Sequence, residues 1–296
     1  MNKQLWGAIS LSLAASIWGS LYVISKYVMD YVPPFTLLWL RYLIAGLVLF
    51  IVMILCRQHK VERRDLMLLA WIGFIGYFVS IGAQFVGTKL SDAHTGALIT
   101  TSSPVFTVLM ARPLLKETLD ARKLAALFLS MLGIVMVIGF NPESEKSWQG
   151  SLFLLIAAIT WAFLSIYVKK ASARYSTLTI TTYAVLFAAV FTTPVAIGEM
   201  QLYEVRLFAS SLVWLGTLYI GIVSTAIALF LWNKGMDLMD AGVGSLFMCF
   251  QPVVGSMLGW LWLNENLTLS FVAGATLILA GLITVNWPRA DQILNE

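Results

Sequence analysis

An all-α membrane protein of ten transmembrane helices, built as two inverted five-helix repeats, is the fold class the sequence predicts. Three observations predict it. The first is composition: hydrophobic residues are 59% of the 296-residue chain and charged residues only 11%, against about a quarter charged in soluble domains. Such a chain cannot clothe itself in polar surface, so lipid must be its solvent. The second is repetition. Residues 90–137 align with 238–285 without a gap, so that Asp92, Ala93, Gly96, Pro104, Glu117 and Gly133 reappear as Asp240, Ala241, Gly244, Pro252, Glu265 and Gly281. A second match, offset by 143, pairs Ala14, Ala15, Trp18 and Lys26 with Ala157, Ala158, Trp161 and Lys169. The third is the placement of Lys and Arg, taken up below.

Apolar stretches of about 20 residues, enough to cross ~30 Å of hydrocarbon, follow one another along the chain. Spans one to five are expected near 5–28, 35–56, 65–88, 93–113 and 120–140. Spans six to ten are expected near 149–170, 177–198, 210–233, 241–263 and 268–288. The connections left over are short and hold no soluble domain. The first repeat is expected over 1–141 and the second over 142–296. The first apolar stretch outruns the roughly 7–15 residues of a signal h-region, so no cleavable signal peptide is expected. Cys56 and Cys249 fall within or at the ends of spans, which does not suit a disulfide framework. His59 and His94 are too few for a metal cluster.

Counting Lys and Arg on alternate sides of the spans sets the orientation. One side carries Lys3, then Arg57, Lys60, Arg63 and Arg64, then Arg112, Lys116, Arg122 and Lys123. It continues with Lys169, Lys170, Arg174, Lys234 and Arg289, while the other side has only Lys26, Lys89, Lys146 and Arg206. The positive-inside rule then places both termini in the cytoplasm, and a cell membrane is the expected location. Five is odd, so the second repeat starts from the opposite side to the first. Inverted repeats give two conformations by symmetry, each half taking the other's shape, with a midplane site opened alternately to each side. That arrangement suits a carrier better than a channel or an enzyme. No paired acids or nucleophile triad argue for catalysis.

Candidate site residues come from polar and aromatic groups at mid-span depth. Pro104 and Pro252 each lie about 11 residues into a span and displace the carbonyls of Thr100 and Met248. They mark kinks, either in water-facing helices that line a path or in packing alone. Thr100, Thr101, Ser102, Ser103 and Thr107 surround the first, and Cys249, Gln251 and Ser256 the second. Either those hydroxyls face a cavity or they bond back to their own helix. Trp18 and Trp161 sit too deep for the interfacial aromatic belt and read as cavity walls or as simple packing. Tyr22, Tyr77 and Gln84 extend the same set, with Ser80, Trp214, Tyr219, Ser224 and Thr225 as further contributors. Trp6, Trp39, Trp71, Trp148, Trp232, Trp260, Trp262 and Trp287 lie nearer span ends and read mostly as belt residues.

Arg41 is a lone charge about 9 Å below the outer end of span two, taking 1.5 Å per residue. It either snorkels to the headgroups or faces the bundle interior, where it would fix a substrate carboxylate or tie down a helix end. Acidic residues avoid mid-membrane positions. A carboxylate proton relay is therefore not expected, and His94 is the candidate coupling group. Glu117 and Glu265, beside Thr118 and Thr268, read as caps of the following helices. Gly133, Gly139, Gly274 and Gly281 allow close helix approach, as do Gly255 and Gly259.

These features together resemble one known family. Asp92-Ala93 with Gly96, then Pro104, then Leu114 to Glu117 before the Gly133-bearing span, and the same series in the second half, look like the EamA-type members of the drug/metabolite transporter superfamily. Trp18-Gly19-Ser20 and Arg41 also fit. The resemblance covers nearly the whole chain, with Lys116 in the first half and Asn264 in the second standing where the family more often has a glycine before the glutamate. It implies a ten-helix basket whose cavity is built mainly by spans one, three, four, six, eight and nine, with spans five and ten packed away from it. It also implies export of small metabolites, most often amino acids or related zwitterions, by exchange or facilitated passage. An organic-cation carrier of the same fold, holding its cargo by cation–π contact, is the alternative. The expected partners are the lipid bilayer and a small-molecule substrate, with no nucleic acid and no cofactor or metal; a homodimer is left open.

Overall fold

The computed structural model describes residues 3–103, 105–107, 110, 121–138, 145–172, 174–238, 247–264 and 268–286. All regular structure among them is helical. The first repeat opens with α1 (Lys3–Val28) and α2 (Pro34–Leu55). Pro34 stands at the first helical position, where its missing N–H costs nothing and its fixed φ is already helical. The third span is composite: a 3-10 turn (Arg63–Asp65), α3 (Leu66–Trp71), a π-helical stretch (Ile72–Ile81) and α4 (Gly82–Leu90). Then come α5 (Ala93–Thr100) and α6 (Ala121–Ile138). The second repeat runs α7 (Glu145–Ser172), α8 (Thr177–Leu202) and α9 (Ser211–Leu218). A second π stretch (Tyr219–Ile227) passes into α10 (Ala228–Leu238). α11 (Phe250–Leu263), preceded by a 3-10 turn (Phe247–Cys249), and α12 (Leu269–Asn286) complete it.

Six of these segments are long and apolar enough to cross a bilayer, and Leu269–Gly281 is a shorter apolar helix. The large side chains left outside are apolar. Leu47, Val190, Phe230 and Val253 are all more than half exposed, which suits hydrocarbon and not water. Parts of expected spans four and nine, including Pro104 and residues 111–113 and 241–246, lie outside the described residues, as do Glu117, Asp240 and Glu265. The capping role is visible at Thr268, whose hydroxyl accepts from the Phe271 amide at 3.2 Å.

Equivalent helices of the two halves pack by exchange. α1 lies against the second π stretch, α10 and α11, and α7 lies against the first π stretch, α4 and α5. α2 pairs with α8, and α6 with α12. The exchange holds at single residues. A Cβ on Gly87 would meet Leu154 Cγ at 2.7 Å and the Gly150 carbonyl at 2.8 Å; on Gly235 it would meet Leu11 Cγ at 2.5 Å and the Gly7 carbonyl at 3.0 Å. Gly87 and Gly235 differ by 148 in number, Gly7 and Gly150 by 143, as do Leu11 and Leu154, which are the two offsets of the sequence repeat. Gly73 against Phe187 and Gly221 against Ile44 repeat the relation. The halves run oppositely. Thr36 meets Glu199, Trp39 meets Thr193 and Gly46 meets Leu186, so α2 and α8 are antiparallel. Parallel repeats would make that pair parallel.

The ends are laced by polar contacts. Lys26 Nζ, in the last turn of α1, donates to the carbonyls of Thr88 at 2.9 Å, Lys89 at 3.0 Å and Ser91, where α4 terminates. Lys89 Nζ answers with a 2.8 Å bond to the Met29 carbonyl just past α1. Each ammonium satisfies carbonyls that a helix end leaves open. At the opposite end Asp65 accepts from Arg174 Nη1 at 3.1 Å and from the Tyr175 hydroxyl at 2.7 Å. That carboxylate pushes the Tyr175 phenol pKa up. Thr179 donates to the Gln58 carbonyl at 2.6 Å and Tyr183 to that of His59 at 3.0 Å, holding the 57–65 connection onto α8.

Candidate functional site

A cavity lies where helices of the two halves meet. Its wall draws Trp18, Leu21 and Tyr22 from α1, Ser80, Ile81 and Gln84 from the third span, and Thr100 and Ser103 from α5 and its continuation. Ala157 and Trp161 come from α7, Leu229 from α10, and Met248 and Gln251 from α11 and its leading turn. α2 contributes Arg41 alone. No described residue of α6 or α12 belongs to the wall.

Arg41 is 3% exposed and does not snorkel. Its Nε donates to Thr225 Oγ1 at 2.6 Å. That hydroxyl in turn donates 2.7 Å to the Ile220 carbonyl five residues back, across a π turn. The guanidinium carbon lies 5.9 Å from the Tyr42 ring centre and 5.4 Å from that of Phe85, within cation–π range. Nη1 is buried and has no hydrogen-bond partner among the described residues. No described carboxylate neutralises the charge. The repeat makes this one-sided: position 184, equivalent to Arg41 by the offset of 143, is Ala184, and Thr225 is matched by Tyr77.

A second polar cluster faces it. Thr100 Oγ1 donates to the Gly96 carbonyl at 2.7 Å and so accepts from the Tyr22 hydroxyl and, at 3.1 Å, from Gln251 Nε2. Gln251 Nε2 also reaches Tyr22 Oη at 2.9 Å. These three groups satisfy one another across α1, α5 and α11. Gly19 permits the approach, since a Cβ there would meet the Gln251 carbonyl at 2.6 Å. Trp18 commits its indole N–H to the Ser224 carbonyl at 3.0 Å and meets Trp161 edge-on, 6.1 Å between centres at 80°. The Trp161 indole and the Gln84 amide make no hydrogen bond among the described residues.

Tyr77 and Ser102 do not reach the wall. Tyr77 is buried behind Arg41, where its carbonyl accepts from the Tyr42 hydroxyl at 2.6 Å. Ser102 donates to the Ile99 carbonyl at 2.6 Å, Thr101 to that of Ala97 at 2.7 Å and Thr107 to that of Ser103 at 3.0 Å. Most hydroxyls of this helix therefore serve its own backbone, which tightens to 3-10 bonding at Ser102 N to the Ile99 carbonyl, 3.1 Å. Pro252 is buried on α11, Pro104 lies outside the described residues, and so does the His94 side chain on α5. Trp232 is no belt residue, because its ring lies tilted at 43° against that of Trp18, 5.2 Å between centres. Trp39 is also partly buried and spends its N–H on Thr193 Oγ1 at 3.0 Å. Thr100 was one hydroxyl in a run and only its contact with Gln251 singles it out; pairing the two repeat offsets would have found Gly87 and Gly235.

Comparison with known proteins agrees with this architecture. The model of a family described as "EamA-like transporter family" matches residues 5–139 and again 148–287. The chain is 26% identical over 288 residues to the uncharacterized transporter YetK of Bacillus subtilis (strain 168), covering 95% of this chain and 87% of that one. It is 23% identical over 283 residues to an uncharacterized transporter of Archaeoglobus fulgidus, covering 94% and 97%. A solved structure superposes with a TM-score of 0.68 at 22% identity, over 94% of this chain and 95% of the other; it speaks for the fold alone.

Proposed function

From the premise that the chain belongs to the EamA-like transporter family, we propose that it is a secondary carrier in the cell membrane with both termini in the cytoplasm. It exports small carboxylate-bearing metabolites, amino acids and their relatives, by alternating access. The first repeat, residues 1–141, and the second, 142–296, act as the two moving halves. The observation that carries the reading is Arg41. A buried guanidinium with an unmet Nη1 on a cavity between pseudo-symmetric halves is a ready partner for a carboxylate, which it binds by charge-assisted hydrogen bonds. Trp18, Trp161 and Leu229 supply apolar walls for a side chain, while Gln84, Ser103 and the Tyr22–Thr100–Gln251 cluster supply polar ones. The same positive charge repels an organic cation, which argues against the alternative cargo.

Efflux of radiolabelled amino acids and related acids from proteoliposomes tests this. Flux well above protein-free vesicles, lost in Arg41→Gln that still elutes as folded protein, is the expected result. No accelerated flux for any carboxylate tried, from demonstrably folded protein, would count against it.

A further inference from the structure

Resting on that carrier reading, we infer that the cavity is built for net monoanions: carboxylates whose amine is absent or blocked bind in preference to the parent zwitterions. A zwitterion brings one charge of each sign. The cavity meets only one of them. Among the described residues Arg41 is the sole ionised group on the wall, and it has a donor free. An ammonium would need an acidic partner or several free acceptors, because a buried charge without them is costly.

Several acceptors on the wall are already engaged. Thr100 Oγ1 and Tyr22 Oη already take Gln251 Nε2, and the Ala157 carbonyl already takes the Ser80 hydroxyl at 2.8 Å. Among the described residues the wall leaves Arg41 Nη1 and the Trp161 indole N–H as unengaged donors, and the acceptors it leaves are neutral: the side-chain amide oxygens of Gln84 and Gln251 and the Ser103 hydroxyl. Donors suit carboxylate and hydroxyl oxygens and repel an ammonium. An ammonium held a few ångströms from Arg41 would also meet a like charge across a low-dielectric gap. The arrangement therefore selects 2-hydroxy acids, 2-oxo acids and N-acylated amino acids as its chemical class.

Matched pairs that differ only at the amine decide it. Alanine with lactate, leucine with 2-hydroxyisocaproate and phenylalanine with phenyllactate are compared on the purified full chain at pH 7. Binding is read by thermal shift and flux by proteoliposome counterflow. The hydroxy acid of at least one pair is expected to bind at least tenfold more tightly than its amino acid, with phenethylamine inert. Arg41→Gln should erase that preference, and Arg41→Lys, which keeps the charge, should retain it at lower affinity. Equal or tighter binding of the amino acid in every pair, or stabilisation by phenethylamine, overturns the inference while leaving a carrier of amino acids standing. No binding by either member of any pair overturns it as well, and absence of all carboxylate flux removes the carrier reading with it.

Discussion

Arg57 ends α2 in the left-handed region, with φ at 56°. Its N–H bonds the Ile54 carbonyl at 2.9 Å and the Gln58 N–H bonds that of Met53 at 3.0 Å, the paired closure that glycine normally serves. An L-residue there is strained by about 1 kcal/mol, so Arg57→Gly should stabilise the protein by about that amount. A higher melting temperature in detergent checks it, and a lower one would mean that the Arg57 side chain matters more than its backbone. Arg41 shows why some residue-scale readings stayed open. Its flanking residues are apolar whichever way it points, so nothing local tells an inward guanidinium from a snorkelling one. Its partner Thr225 is 184 positions away. Trp232 misled for a similar reason: nearness to a span end suggested the headgroups, whereas contact with Trp18 put it inside.

At the scale of elements, the positions of spans were legible because the limits of an apolar run coincide with the limits of hydrocarbon. Pro34, Ser176 and Ser210 sharpen those limits. The two serines cap α8 and α9 by accepting from Thr179 N at 3.2 Å and Val213 N at 3.4 Å. The π stretches were not legible. One extra residue per turn leaves the run apolar throughout, and only the hydrogen bonds betray it. They recur in equivalent spans of the two halves. The Lys26–Lys89 clasp makes the clearest element-scale prediction. Separating the ends of α1 and α4 must strip the carbonyls of Thr88, Lys89 and Ser91 of their ammonium. Lys26→Met should therefore favour the state open at that end. A cysteine placed at Thr95, which is buried in this state, in a background freed of Cys56 and Cys249, should then react several-fold faster with an impermeant thiol reagent. An unchanged rate would mean that the clasp does not hold that end shut.

For the whole molecule, the antiparallel crossing of α2 with α8 requires an odd number of spans per half. Reporter fusions at Glu296 and beside Arg63 should fall on the same side of the membrane; opposite sides would exclude the inverted layout. Inversion makes the backbone nearly symmetric, yet the chemistry is not, since Arg41 faces Ala184 across the repeat. That imbalance has an electrical consequence. On the proposed preference for monoanions, a described wall with one fixed cation and no fixed anion would move negative cargo, so every export event would also shift a charge. An inside-negative potential of 100 mV then supplies about 2.3 kcal/mol per event, equivalent to a concentration ratio of about fiftyfold. Export of a hydroxy acid should accelerate when a potassium gradient with valinomycin makes the vesicle lumen negative, for carriers whose cytoplasmic face lines that lumen. Flux indifferent to voltage would mean that a compensating ion travels too. A carrier driven by voltage in this way would need no intramembrane carboxylate to couple its work.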